Sequence, residues 1–277
     1  MLSDLHAELS KQARRPANWL LALIAAVLTL TFAYLVPYAA IAGDGAAGAG
    51  PPVAARGLAA MLPNQFVGNA LGGTPVFVGA LALIFGALVA GSEYGWQTWK
   101  TLLTQQPCRR RLFAAKVGVV AVGVLVLVLV LLGTAAASSA LVASLEDRPA
   151  DWPALADIAV GAAGGWLITM MWGALGVLLA IVFRSVALPI GLGLVWLLAV
   201  QNLISGIAAP LLDWVATMQK GLPGPNAGSL AASLGAGTDT PGVTALVDAG
   251  QATMVLLAYL VGFTALGGWL LSRRDIL

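Results

Sequence analysis

The run from Leu112 to Ser144 holds one charged residue, Lys116, in 33 positions. As a helix it reaches roughly 50 Å at ~1.5 Å per residue, more than the ~30 Å hydrocarbon core of a bilayer, so it has to tilt or project. Five further apolar stretches, at about 18–37, 75–90, 158–183, 187–207 and 251–271, are of spanning length or close to it. Across 277 residues the chain is 60% hydrophobic and 9% charged, with a mean hydropathy of +0.91. The fold class expected is therefore all-α: a polytopic membrane protein of six transmembrane helices in a single domain, 1–277.

Charge sets the expected orientation. The segment Gly91 to Lys116 carries five of the 14 basic residues, which places the loop 91–111 in the cytoplasm. On the six-span map eleven of the 14 fall on that side, leaving Arg56, Arg148 and Lys220 outside. Both termini are then cytoplasmic, and 39–74 and 208–249 are outer loops. Within the second of these, Leu211, Leu212, Val215 and Met218 read as one apolar face, predicting one or two short helices against the outer mouth. Gly161, Gly165, Gly173 and Gly176 on the fourth span allow close helix approach, either within the subunit or at a dimer seam. Lys116 lies about one and a half turns into the third span, from which its stem is expected to snorkel to the inner headgroups.

Residues 1–15 place Leu2, Leu5 and Leu9 on one helical face with Lys11, Arg14 and Arg15 at the far end. This predicts an N-terminal amphipathic helix lying along the inner leaflet. The apolar run from Ala17 to Tyr38 exceeds the ~7–15 residues of a signal-peptide core, so it reads as a span. His6 has no ligand-spaced partner and reads as solvated.

In the loop, Trp96, Trp99, Leu102 and Leu103 recur at three- and four-residue spacing from Glu93 onward, and Pro107 closes the pattern. An amphipathic helix at this position can lie on lipid or seat in a groove of a cytoplasmic partner. The order Glu93-Tyr94, Thr98-Trp99-Lys100, Leu102-Leu103-Thr104, Pro107, Arg110-Arg111 and Lys116 resembles the cytoplasmic loop of type-2 ATP-binding-cassette (ABC) exporter permeases. It is closely similar to the branch that includes bacitracin and lantibiotic export and immunity permeases. The start, AELSKQARRPANWL, resembles that family too. Gln97 departs from the family's usual Gly and Cys108 from its usual small residue.

The resemblance implies two permease subunits, identical or different, paired with two cytoplasmic ATPase subunits. It also implies that the helix from Tyr94 to Gln106 seats in the ATPase, with Glu93 fixing it at the membrane edge. Arg109, Arg110 and Arg111 read as a lipid and topology anchor, or as an ATPase contact. The family's substrate path, along the second and fifth spans at the subunit seam, falls here on Phe77, Phe85, Trp196, Gln201 and Asn202.

No catalytic or metal constellation is present in a chain with one His and one Cys. The lone Cys108 excludes an intramolecular disulfide. No GxxxxGK[ST] phosphate loop occurs, so this chain carries no cofactor of its own, and ATP and Mg are expected on a separate subunit. Glu93, Lys116 and Asp157 lie near span ends, which argues against an ion-coupled carrier. The slightly basic balance follows from topology and does not call for nucleic acid. The expected function is the permease subunit of an ATP-driven exporter in the cytoplasmic (inner) membrane of a prokaryote. Its cargo would be a hydrophobic or amphipathic peptide, antibiotic or lipid-like molecule, with lipid, the ATPase and a second permease as partners. The alternatives are a non-transporting membrane scaffold or sensor, and a membrane-embedded enzyme.

Overall fold

The structure, a computed structural model, describes residues 2–42, 57–95 and 108–273. All regular structure among them is helical, and six helices are long and apolar enough to cross a membrane: Pro16–Ile41, Phe77–Gly95, Arg109–Leu145, Leu155–Phe183, Ala187–Leu211 and Ala249–Arg273. We call these the first to sixth spans. The third, at 37 residues, is about 55 Å long at ~1.5 Å per residue.

A helix over Leu2–Ala13 precedes the first span, and the turn between them is dictated locally. Arg15 is extended, and Pro16 opens the next helix where no backbone N–H is needed. The carbonyls at the end of the N-terminal helix find side-chain donors: Asn18 Nδ2 donates to Gln12 O at 2.8 Å and Trp19 Nε1 to Ala13 O at 2.8 Å. The helix packs Leu5 and Leu9 against the bundle. Glu8 and Gln12, one turn apart on the same face, are buried with them.

The second and fourth spans form the centre. In their most apolar stretches 72% of residues are buried, against 17% in the first and sixth and 22% in the fifth. Two glycines bring the two backbones together: a Cβ on Gly86 would lie 2.0 Å from the Gly173 carbonyl oxygen, and one on Gly176 would lie 2.1 Å from that of Leu83. Around that contact Leu83, Val120, Val124, Met171 and the fully buried Trp172 make the larger core; Tyr34, Met61, Leu71, Val128 and Leu131 make a second. Lipid tails are as apolar as these side chains, so what holds the helices together is dispersion contact at close approach rather than escape from water.

One end of the bundle carries Glu8, Lys11, Glu93, Lys116 and the last turn of the sixth span, and we call it the charged end. At the opposite end Tyr38 Oη donates to Glu146 at 2.8 Å, and Phe66 meets Trp152 edge to face at 5.7 Å. A helix over Pro223–Ser233 is tucked there, its two prolines in the first turn where they cost no hydrogen bond. Ser229 Oγ ties it down by donating to Thr244 O at 2.8 Å and accepting from Leu246 N at 3.1 Å.

The expected apolar face of Leu211, Leu212, Val215 and Met218 does not pack. Leu212 is extended (φ −136°, ψ 110°) and breaks the helix, so the four residues share no face, and only Val215 is buried. The fifth span is irregular within the membrane as well. Wider π-turns over Val195–Val200 and Ile204–Ala208 flank Gln201–Leu203, a distortion often found where a helix serves a site.

Candidate functional site

Glu93 occupies the last turn of the second span and is 0% exposed. A carboxylate so placed must be paired. Lys116 Nζ donates to Glu93 Oε1 at 3.1 Å and to the Val89 carbonyl at 3.2 Å, and Lys11 Nζ donates to the same carboxylate oxygen. Glu8 completes the group, with carboxylate oxygens 3.7 Å from Lys116 Nζ and 3.7 Å from Lys11 Nζ. Arg15 Nη1 donates to Ser92 Oγ at 3.1 Å beside it. Among the described residues, two acids and two ammoniums from three helices thus pair with one another where the chain leaves the second span.

Lys116 does not snorkel. It is 1% exposed, its ammonium turned inward onto Glu93. The N-terminal helix covers this position, and a stretched path to the headgroups would leave Glu93 without its closest neighbouring span's charge. Of the basic run, Arg109 donates to the Leu271 carbonyl at 3.4 Å, a cation at the last turn of the sixth span. Arg110 and Arg111 are exposed. Tyr94 is half-buried against the main core. Trp96, Thr98, Trp99, Lys100, Leu102, Leu103 and Pro107 lie outside the described residues.

Five residues were expected along a substrate path, and the structure brings two of them together. Gln201 and Asn202 line a pocket of about 220 Å³ with Pro75, Val76, Ser205 and Thr244, against the Pro223–Ser233 helix. Gln201 is 5% exposed, and its Nε2 has no hydrogen-bond partner among the described residues. Asn202 is exposed and donates to Leu198 O at 2.8 Å. Phe77 is exposed at the start of the second span, Phe85 is buried beside Gly123, and Trp196 packs half-buried on the main core.

Glu8 and Ser92 were not singled out from sequence, and Lys11 was read only as part of the basic end of the N-terminal helix. The signal was present for Glu8: positions 5, 8, 9 and 12 follow one helical face, and an acid among leucines on such a face requires a buried counter-charge. No cluster of three or more metal-ligating side chains occurs among the described residues.

The family model described as ABC-2 family transporter protein matches residues 5–200. That span runs from the N-terminal helix through four spans and into the fifth, taking in the whole charged cluster and stopping one residue short of Gln201. Comparison with curated proteins gives no match. The chain therefore belongs to the ABC-2 family: it is a multi-pass membrane permease of a kind that typically relies on a separate ATPase subunit and typically binds no cofactor itself.

Proposed function

We propose that this permease is the transmembrane subunit of an ATP-driven exporter of the bacitracin and lantibiotic branch, in the cytoplasmic (inner) membrane of a prokaryote. An ABC ATPase subunit supplies ATP and Mg, and a second permease, identical or different, completes the pathway. The observation that carries this reading is the charged cluster. Glu93 is bound to both Lys11 of the N-terminal helix and Lys116 of the third span, so a force arriving through the residues after Gly95 acts on three helices at once.

In this reading Tyr94, Trp96, Thr98, Trp99, Lys100, Leu102 and Leu103, up to Pro107, form the coupling helix. The charged end and both termini face the cytoplasm, and Arg110 and Arg111 meet anionic headgroups. The sparsely buried first, fifth and sixth spans leave surface for the second permease. The cargo is hydrophobic or amphipathic, with the Gln201 and Asn202 pocket as a polar station on its route.

The test is a pull-down in mild detergent, with Trp99→Asp beside the parent. A soluble ABC ATPase recovered with the parent and lost with the variant is the expected result. No ATPase with either form, where a control ABC complex survives, moves the assignment to a membrane scaffold.

A further inference from the structure

Next to the charged cluster, the N-terminal helix and the first and third spans enclose an apolar groove of about 280 Å³, backed by Leu81 and Phe85 of the second span. That approaches the ~300 Å³ at which small-ligand pockets begin. Leu9, Trp19, Ala22, Val119 and Val126 line it; the only amides are Gln12 and Asn18, at its head.

Gln12 is 5% exposed. Its Oε1 accepts from Asn18 Nδ2 at 3.0 Å, which fixes the amide; among the described residues its Nε2 has no acceptor and the neighbouring Asn18 Oδ1 has no donor. The head of the groove thus offers one donor and one acceptor, which a phosphatidylglycerol headgroup with its phosphate oxygens and glycerol hydroxyls can match. A buried donor without an acceptor is unfavourable, and an acceptor brought into the groove relieves it. Trp19, 63% exposed with Nε1 on the Ala13 carbonyl, is a side chain of the kind that sits at headgroup level. Arg14, next in sequence to the groove-lining Ala13 and in the turn before the first span, is exposed and brings a positive charge to the head of the groove. From that level the groove follows the third span from Val119 to Leu127, about 12 Å of the ~15 Å half-thickness of the hydrocarbon core. One polar head, one cation and a single apolar channel descending toward mid-bilayer match a molecule with one oxygen-rich head and a long tail.

We propose that this groove holds one acyl chain of an anionic glycerophospholipid, with an ester or phosphate oxygen accepting from Gln12 Nε2 and the phosphate beside Arg14. The lipid fills the space between the N-terminal helix and the third span, and so braces the helix that carries Glu8 and Lys11. It is a fixed lipid, distinct from the annular lipids that coat exposed residues such as Val261 of the sixth span.

The full chain is reconstituted in nanodiscs of phosphatidylglycerol doped with phosphatidylglycerol bearing a mid-chain diazirine, irradiated, and its adducts mapped by mass spectrometry. Adducts on the Trp19–Ala22 and Val119–Val126 peptides should exceed those on Val261–Leu266 by about fivefold or more, and Gln12→Leu should remove about fivefold, the factor one hydrogen bond is worth. Ala22→Phe, which fills the groove, should abolish them. Sixth-span labelling must stay constant, which shows that each variant is folded. Equal labelling at groove and sixth span, labelling indifferent to both substitutions, or a groove closed to the probe by another protein chain overturns the proposal. So does a phosphatidylcholine probe that labels the groove as well as phosphatidylglycerol does.

Discussion

Glu93→Gln is the most informative single change. It keeps the shape and removes a charge that is wholly buried, paired with Lys116 at 3.1 Å and with Lys11. The ammonium of Lys116, itself 1% exposed, then keeps the Val89 carbonyl at 3.2 Å and, as carboxylate among the described residues, Glu8 at 3.7 Å, shared with Lys11. At an effective dielectric of about 20 the attraction lost at 3.1 Å is about 5 kcal/mol. The amide recovers part of it by accepting a hydrogen bond, and a broken buried pair typically costs ~3–5 kcal/mol. A loss of about 3 kcal/mol is expected for the single variant. Lys116→Met in the same background restores neutrality, leaving Glu8 with Lys11, so the double variant should be more stable than Glu93→Gln alone, with a coupling of about 2 kcal/mol. The assay is unfolding by sodium dodecyl sulfate in mixed micelles, followed by circular dichroism, on the parent, both single variants and the double. A loss under about 1 kcal/mol for Glu93→Gln, or a double variant equal to the sum of the singles, refutes the reading of these four groups as one coupled unit.

Gly176→Ala places a methyl 2.1 Å from the Leu83 carbonyl and should cost about 3 kcal/mol in the same assay, whereas Gly133→Ala, with nothing within 4 Å, should gain up to about 1 kcal/mol from helix propensity. Cys108 is the only cysteine and is exposed at the charged end. A membrane-impermeant maleimide should therefore modify it in inside-out vesicles and not in intact cells; the opposite result inverts the proposed topology.

The six spans were legible because an apolar run of spanning length has few other uses, and because Lys and Arg mark where such runs end. The N-terminal helix was legible from the spacing of Leu5 and Leu9. What sequence could not show was where that helix's polar residues go. Lys11 and Glu93 are 82 positions apart, and periodicity reports a face, not its partner. Lys116 was read from its length and depth alone, which favoured the headgroups; the nearby carboxylate reversed that outcome. The same limit hid the groove at Gln12, whose walls come from four helices. Leu211, Leu212, Val215 and Met218 misled for a different reason, since a periodic pattern holds only while the helix continues, and it stops at Leu212. The pocket at Gln201 was half legible: amides in an apolar run need company, but the company is a loop helix too rich in Pro, Gly and Ala to announce itself.

The backbone contact of Gly86 with Gly173 and of Gly176 with Leu83 has a mechanical consequence. Helices held apart by side chains can roll over them, but helices whose main chains touch have nothing to roll on. The second and fourth spans are therefore a single stiff strut. The fourth span alone, 29 residues from Leu155 to Phe183, makes that strut about 44 Å long at ~1.5 Å per residue. Against that strut, any rolling or sliding within the bundle has its room at the first, fifth and sixth spans, where only 17%, 22% and 17% of the residues in the most apolar stretches are buried.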